Sequence, residues 1–539
     1  MSLSVIASLK SLDVATLERL AGTTIVRAVR SAYDTNRSGE LARLILDRYG
    51  TTLLKQREVR RCLVEQLDKV TARQWCARLG RVISPHGVPQ KDLQDYFDKA
   101  FGTKKAKEFV DGLGLDQALI PVEVADDRAT TEFITAKFGE DLKSKGFLHP
   151  YQKRVKDEIL SNVRDGYLKQ MVQMPTGAGK TVTALEAAVD FLRAPGFDGL
   201  VIWIVDSSEL AEQALQSFST LWKFRGDSPV RVHRYFGDFD PQFDDASSGI
   251  VFAGFDKIRA QAVGADALAR HRVVMLARRA RLVIVDEAHS AAAETYDPVV
   301  RALTKNDAPL VGLTATPGRN DEFSQDELEK LFGKRLVALR DAAGVGVDDA
   351  ISYLREDGYL ATVEFEELNS GAQSSAEQEA KVCQELAENA DRNNQIIEQI
   401  ARAAELEDPT VVFACTKDHV FALVALCTKK KLNVGFIVGE TPSSQRVDML
   451  DRFRKGDLNI LINHEILSTG IDLPNVRRLI ITRPVGSPIL YSQIIGRALR
   501  GPLNGGNEKN TVVSIKDNLL SYPSASFVYE YFHHMFGNT

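Results

Sequence analysis

The 539-residue chain is too long for one hydrophobic core, so its length favours several domains. Its apolar and charged fractions, 44% and 26%, are those of an ordinary globular protein, and no stretch has the ~18 uninterrupted apolar residues of a membrane helix. The opening MSLSVIASLK lacks the basic, apolar and cleavage regions of a secretory signal. The composition therefore predicts a soluble, cytoplasmic protein with no membrane partner.

The cysteines indicate a reducing environment. Their number is odd and none form a C-x-x-C pair, which argues against a disulfide framework, a zinc finger or an iron–sulfur cluster. We therefore expect buried, reduced thiols at Cys62, Cys76, Cys383, Cys415 and Cys427.

The N-terminal region differs from the rest in pattern and charge. Apolar positions recur at helical spacing, as in VATLERLAGTTIVRAV, so residues 1–125 are predicted to form a mainly helical accessory domain. The net charge of the chain is −5, yet this region has a basic surplus. On a helix, Arg57, Arg60 and Arg61 would share one face, as phosphate contacts would. A solvated surface and a docking face for an acidic partner are the other two interpretations.

From about residue 148, short apolar runs alternate with helical segments, which is typical of buried parallel strands. A second series of such runs begins near residue 408, and the stretch of about 320–405 between the two series is acidic, polar and helical in pattern. The predicted fold class is α/β, with parallel-sheet domains in tandem at 126–335 and 336–539. The runs are LVIWIV, GIVFAGF, RLVIVDEAH and LVGLTATP in the first series, then DPTVVFAC, LNVGFIVG, LNILINHE, VRRLIITRP and NTVVSIKDN in the second.

A glycine-containing turn joins a predicted strand to a predicted helix within MVQMPTGAGKT, residues 171–181. Its backbone N–H groups and the helix N-terminus would hold phosphates, Lys180 would reach the β and γ oxygens, and Thr181 would ligate Mg²⁺. Met174 stands where the strict pattern has its first glycine. Such a turn can be mere geometry, but a Lys-Thr pair at the helix start has no structural reason. The predicted ligands are ATP and Mg²⁺, held by Thr176, Gly177, Ala178, Gly179, Lys180 and Thr181.

Two carboxylates end the apolar run RLVIVDEAH, at the strand edge where open α/β sheets bind ligands. An acidic loop after a strand is ordinary by itself. Because this pair follows a phosphate loop at suitable spacing, we expect Asp286 to hold Mg²⁺ and Glu287 to polarise the water that attacks the γ-phosphate.

With these motifs in order, residues 145–520 resemble superfamily 2 of the helicases and translocases, specifically its DEAH-box branch. The resemblance implies two tandem RecA-like domains. It makes Gln152, in LHPYQ, the candidate for reading the adenine edge, and Gly470 and Asp472, in ILSTGIDLPNV, candidates for nucleotide contact. It implies that the segment QIIGRALR brings three residues to the γ-phosphate: Gln493, Arg497 and Arg500. The implied contacts to nucleic acid, or coupling residues, are Ser207, Thr314, Thr316, Thr416, Ser468 and Thr469.

The motifs look most like bacterial DNA-directed members, such as restriction-system motor subunits and helicases of the RadD and UvsW type. The resemblance thus implies an ATP-dependent DNA helicase or translocase in phage defence or DNA repair. We found no nuclease motif or second catalytic triad in the sequence, which favours a separate nuclease or other subunit as partner. Two alternatives stay open: an ATP-gated DNA clamp that recruits a nuclease without processive unwinding, and an RNA helicase.

Overall fold

The computed structural model describes residues 5–517 with gaps. Nothing is described at positions 31, 35–36, 81–87, 100, 121–127, 137–147, 289–296, 316–327, 348, 375, 377, 465, 468–472, 474, 485–487 and 497. No helix in the described part is long and apolar enough to cross a membrane. The five cysteines are buried and none is in a disulfide, which confirms that prediction.

The N-terminal region is helical, as predicted. Asp13 and Asp68 begin two of its helices, because each carboxylate accepts hydrogen bonds from backbone N–H groups of the first turn. Trp75, Phe97 and Phe109 pack against one another in its core. The helices are α1 (Val5–Lys10), α2 (Val14–Ala21), α3 (Thr23–Val29), α4 (Ser38–Tyr49), α5 (Arg57–Glu65), α6 (Lys69–Arg78), α7 (Pro89–Asp98) and α8 (Thr103–Leu113).

The first sheet has the strand order β1-β4-β5-β3-β6-β7-β2-β8, and its pairs are parallel except for β1 with β4. Its fully buried strands are the apolar runs of the sequence. The elements are β1 (Thr131–Ile134), α9 (Pro150–Arg164), β2 (Lys169–Gln173), α10 (Lys180–Leu192), β3 (Leu200–Val205), α11 (Ser208–Arg225), β4 (Val230–Tyr235), β5 (Gly249–Gly254), α12 (Phe255–Val263), α13 (Ala267–Arg279), β6 (Ala280–Val285), α14 (Asp297–Leu303), β7 (Leu310–Thr314), β8 (Leu336–Val337) and α15 (Ala350–Glu356).

The second sheet is parallel throughout, in the order β11-β12-β10-β13-β14-β9. Its elements are β9 (Thr362–Asn369), α16 (Glu379–Glu388), α17 (Ala390–Glu405), β10 (Thr410–Phe413), α18 (Lys417–Lys429), β11 (Gly435–Ile437), α19 (Ser443–Lys455), β12 (Ile460–Asn463), β13 (Arg478–Ile481), α20 (Pro488–Ile495) and β14 (Lys509–Lys516). The two sheets and the helical N-terminal region confirm the predicted fold class.

Two details differ from the sequence prediction. Strand β8 pairs with β2, so the first sheet continues two residues past the expected boundary at 335. Strand β9 lies in the stretch expected to be helical. It is an acidic edge strand that pairs with β14 on one side, and no residue along it is fully buried. It therefore lacks the apolar run that marks a central strand.

The N-terminal helices pack on the second sheet domain and share one hydrophobic core with it. The hydroxyl of Tyr33 donates to the Ala425 carbonyl at 2.8 Å, within α18. Arg48 pairs with Asp418 in the first turn of the same helix, also at 2.8 Å. The accessory domain is therefore joined to the second domain by apolar packing as well as by polar contacts.

The arginines expected to form a phosphate-binding face have intramolecular partners. Arg60 is 4% exposed, and its guanidinium donates to the carbonyls of Leu54 and Lys55 at 2.7 and 2.9 Å. Arg57 and Arg61 both pair with Asp98, at 3.0 and 2.6 Å. The prediction that Arg57, Arg60 and Arg61 share one phosphate-contacting face is therefore wrong, because the Arg60 side chain lies inside the domain rather than at its surface.

Candidate nucleotide site

The loop between β2 and α10 follows the predicted phosphate-binding segment. Gly177 and Gly179 have φ of +85° and +77°, in the region where glycine is favoured. A Cβ on Gly179 would lie 2.3 Å from the Gln152 amide nitrogen, and one on Gly177 would lie 3.2 Å from Leu360 of the second part of the chain. The loop therefore requires glycine both for its backbone and for the close approach of its neighbours.

Four of the predicted catalytic and metal-binding side chains lie together beside this loop. The Lys180 ammonium lies 3.0 Å from Glu287 Oε1 and 3.7 Å from Asp286 Oδ1. Thr181 Oγ1 donates to Asp286 Oδ2 at 3.1 Å. The carboxylates follow β6, and the other two residues begin α10, the helix that follows β2. Strand β7 lies between β6 and β2 in the sheet, so the four side chains meet at the carboxyl ends of these parallel strands. A hydroxyl and a carboxylate oxygen in contact fit the oxygen ligands that Mg²⁺ prefers.

Burial and the neighbouring charges shift the pKa values of this cluster in opposite directions. Burial by itself would lower the pKa of Lys180, but the carboxylates of Glu287 and Asp286 raise it above its usual value. Burial raises the pKa of Asp286, against the opposing effect of the Lys180 ammonium. Lys180 is therefore a charged cation in a buried site, where attraction to a phosphate is much stronger than in water.

The backbone at Glu287 is strained. Its φ is +54°, which is uncommon for a residue other than glycine, and its N–H donates to Asp286 Oδ1 at 3.0 Å. Strained backbone of this kind clusters at active sites, where neighbouring structure holds it in place. The strain is a second observation, besides the position of the carboxylates, that singles out this turn.

Gln152 is 5% exposed and lies against the loop. Its Oε1 accepts from the His149 backbone N–H at 2.9 Å, and its Nε2 donates to the Ala178 carbonyl at 3.0 Å, which also accepts from the Tyr151 hydroxyl at 2.9 Å. An amide has two N–H bonds and two lone pairs, so one of each stays available for an adenine edge. The base-reading role of Gln152 remains a prediction.

A cavity of about 340 Å³ extends from this cluster to the second domain. Arg500 lines it from that side. The chain before Arg500 is fixed by the bond from the Ala361 N–H to the Leu499 carbonyl, at 2.8 Å. Gln493 is half-buried on α20 and is not among the residues that line the cavity. Arg497, Gly470 and Asp472 lie outside the described residues, so their predicted roles have no structural test.

The predicted nucleic-acid contacts are placed in part. Ser207 and Thr416 occupy equivalent positions after β3 and β10, where each side chain caps the following helix by accepting a backbone N–H at 3.2 and 3.1 Å. Thr314 is the buried last residue of β7. Thr316, Ser468 and Thr469 fall outside the described ranges. None of these positions is shown to touch a polymer, and their roles stay predictions.

Sequence reasoning missed several residues that line the cavity. His149 belongs to the LHPYQ segment, which was recognised for Gln152, but the His149 side chain was not itself predicted to line the site. Asn504 lies four residues after the QIIGRALR segment but outside every motif, so nothing in the sequence pointed to it. The other missed lining residues are Pro175, Val182, Gln213, Ser217, Ala315, Leu473 and Gly496.

Two family models match the chain. The model described as "Type III restriction enzyme, res subunit" matches residues 145–319, and that described as "Helicase conserved C-terminal domain" matches residues 391–502. Together these segments make up just over half of the chain. They contain the phosphate loop, the acidic pair and the second sheet's motif segments.

Curated relatives agree with these matches. The Saccharomyces cerevisiae protein IRC3, whose description as an ATP-dependent helicase is itself provisional, is 26% identical over 66% of this chain and 49% of its own. The DNA 3'-5' translocase XPB2 of Sulfurisphaera tokodaii is 23% identical over 67% of this chain and 80% of its own. The Type I restriction enzyme EcoKI endonuclease subunit of Escherichia coli is 26% identical over 66% of this chain and 33% of its own.

The sheets, the phosphate loop and the cavity between domains define a protein with two tandem RecA-like domains. The family matches narrow this class: the chain belongs to the superfamily 2 helicases. It spans about half the length of IRC3 and a third of the EcoKI subunit, so activities of those whole proteins do not transfer directly.

Proposed function

We propose that this chain is a DNA-dependent ATPase that uses hydrolysis between its two RecA-like domains to move along or remodel DNA, as a helicase or translocase. The observation that carries the proposal is the contact of Lys180 with Asp286 and Glu287, beside a cavity that Lys180 and Glu287 line from the first domain and Arg500 from the second. Phosphoryl transfer needs both halves of this arrangement, a phosphate grip and an opposing cation.

Each residue has a distinct task in this proposal. Lys180 binds the terminal phosphates, and its present partner Glu287 becomes available to orient the attacking water. Thr181 and Asp286 would hold Mg²⁺, which supplies charge neutralisation on the phosphates. Arg500 stabilises the charge that develops on the transferred group. Because the guanidinium of Arg500 belongs to the second domain, hydrolysis requires the two domains to be closed around the nucleotide.

Coupling to movement follows from this requirement. Ser207 and Thr416 lie on separate domains, at equivalent strand ends. If both contact one strand of nucleic acid, opening and closing with each hydrolysis changes the distance between the two contacts. Repeated cycles would then carry the protein along the strand.

DNA is the proposed polymer. The relatives described as a DNA 3'-5' translocase and a restriction endonuclease subunit support this choice, as does the match to the restriction enzyme model. We further propose a setting in phage defence or DNA repair, with a separate nuclease or other subunit as partner.

The test is the ATPase rate measured in parallel with no polymer, single-stranded DNA, duplex DNA, forked DNA and RNA. We expect strong stimulation by DNA and none with Lys180→Ala, which lacks the phosphate grip. Stimulation by RNA alone would contradict the choice of polymer. A roadblock-displacement assay then separates a translocase from a DNA clamp, since a clamp hydrolyses ATP without moving the roadblock.

A further inference from the structure

A hydrogen bond between the two domains lies on the lining of the cavity. His149 precedes α9 of the first domain, and Asn504 ends the short helical turn Pro502–Asn504 of the second. Their side chains meet at 3.0 Å, His149 Nε2 to Asn504 Oδ1, and both residues line the cavity that contains the phosphate loop. A polar contact at this point joins the walls of the cavity across 355 positions of sequence.

The Asn504 side-chain amide is held in one orientation by its Nδ2 group. Its Nδ2 donates to the Tyr359 carbonyl at 2.7 Å, which also accepts the Gly501 N–H at 3.1 Å. With Nδ2 placed as a donor, Oδ1 is the acceptor towards His149, so the imidazole Nε2 carries the hydrogen. The contact is therefore an imidazole N–H donating to an amide oxygen.

The His149 ring is also fixed by aromatic neighbours. Its centroid lies 4.6 Å from that of Tyr359, and Tyr359 in turn lies 4.8 Å from Tyr151. Tyr151 donates to the Ala178 carbonyl within the phosphate loop. Contacts therefore run without a break from Ala178 of the phosphate loop to Asn504 of the second domain. The phosphate loop and the bond between His149 and Asn504 are thus physically connected.

We propose that the bond between His149 and Asn504 is a latch that retains nucleotide in the cavity. This inference rests on the proposed function and adds a residue from the second domain to nucleotide binding. The hydrogen bond between His149 and Asn504 must break before a bound nucleotide can leave the cavity, so the latch slows dissociation. Loss of one net hydrogen bond corresponds to roughly a fivefold change in an equilibrium or rate.

The test is the dissociation rate of a fluorescent ADP, mant-ADP with Mg²⁺, chased from the 539-residue chain by unlabelled ADP. We expect Asn504→Ala and His149→Ala each to speed release roughly fivefold. The double variant is expected to release no faster than either single variant, because both changes remove the same contact. Asn507→Ala is the matched control, since Asn507 bonds to Val476 and Asn510 and does not line the cavity.

His149→Gln tests whether the bond to Asn504 is the contact responsible. A Gln side-chain N–H can replace the imidazole N–H as donor to Asn504 Oδ1, and the bond from Asn504 to Tyr359 is left in place, so we expect release slower than from His149→Ala. It also serves if Asn504→Ala fails to fold, which the melting temperature of each ligand-free variant would show. Release from His149→Gln as fast as from a folded His149→Ala would overturn the latch.

Two further outcomes are decisive. If the unaltered chain binds mant-ADP and Asn504→Ala releases it at the same rate, the latch is wrong and the proposed function stands. The same holds if the effects of the two single variants multiply in the double variant. If the unaltered chain binds no mant-ADP, the proposed function itself fails and the latch with it.

Discussion

The carboxylate of Glu287 is the residue on which the chemical assignment most depends. Its geometry, 3.0 Å from the Lys180 ammonium and on strained backbone, fits a group that Lys180 holds until phosphate arrives. We expect Glu287→Gln to bind ATP about as well as the unaltered chain and to hydrolyse it at least ~100-fold more slowly, the scale of a lost general base. Binding of a fluorescent ATP analogue and DNA-stimulated turnover measure the two effects separately.

Glu398→Gln is the control for this substitution, because Glu398 is exposed on α17, away from the cavity. Normal turnover by Glu287→Gln would remove Glu287 from the role of orienting water. Asp286 would then be the remaining carboxylate beside Lys180.

Arg500 is the described residue that brings a cation to the cavity from the second domain. We expect Arg500→Ala to bind ATP nearly normally, because the phosphate loop is intact, and to hydrolyse it ~10³-fold more slowly, the scale of a lost arginine finger. Affinity and single-turnover rate are the measurements, with Arg477→Ala, an exposed arginine paired with Asp408, as control. Lost affinity with normal turnover of bound ATP would favour a structural role for Arg500.

Some of these residues could be predicted from the sequence because their chemistry fixes their spacing. A phosphate grip needs glycines, Lys180 and Thr181 in one turn, and a carboxylate pair must end a buried strand near it. Asn504 could not be predicted, because its significance comes from a hydrogen bond to His149, 355 positions earlier in the chain. Contacts between distant segments leave no local pattern.

At the scale of elements, buried strands were predictable and edge strands were not. The run LVIWIV is buried at every position of β3, so it could be recognised from composition alone. Strand β9 has the sequence TVEFEELN, with four acidic or amide residues, and each of its residues is partly or fully exposed. Its strand conformation comes from pairing with β14. The helix face of Arg60 was misjudged for a related reason, since periodicity groups residues by face without saying which face is inside.

The strand ends of the second sheet are fixed by a buried ion pair. Arg392 of α17 is fully buried and pairs with Asp517, just after β14, at 2.8 Å, and its guanidinium also donates to the Thr482 carbonyl after β13. Removing one partner leaves the other charge buried alone. We expect Asp517→Ala to lower the free energy of unfolding of this domain by about 3–5 kcal/mol.

The midpoint of chemical unfolding, followed by a probe on the second domain, checks this value. The control is Glu364→Ala, which breaks an exposed pair with Lys509 between β9 and β14 and should cost about 0–1 kcal/mol. Equal small effects of the two variants would show that the buried pair adds little to stability.

At the scale of the whole molecule, the accessory domain and the second RecA-like domain behave as one packed body. Ile25 and Val29 on α3 belong to the same hydrophobic cluster as Leu423 and Leu426 on α18. Thr416, the predicted nucleic-acid contact, caps this α18, so the accessory helices support the element that begins at that contact. The sequence indicated a separate helical domain but gave no sign of its docking partner.

This packing changes what removal of residues 1–125 should do. By sequence alone, every motif for hydrolysis lies beyond residue 145, so a truncated chain would be expected to keep basal ATPase activity. The structure instead indicates that truncation exposes apolar residues of α18 that are now buried, together with the partners of Tyr33 and Arg48.

We therefore expect the chain lacking residues 1–125 to melt at a lower temperature, to bind a hydrophobic dye and to aggregate, because a large apolar surface would face water. Thermal melting, dye fluorescence and basal ATPase rate on the same preparations are the measurements. Arg48→Ala together with Arg27→Ala is a milder companion, since it removes two ion pairs of the interface and leaves its apolar core in place. A truncated chain with an unchanged melting temperature and full basal activity would show that the shared core contributes nothing to the second domain. The accessory helices would then be a separable attachment, and their basic surplus would again be open to a role in guiding DNA.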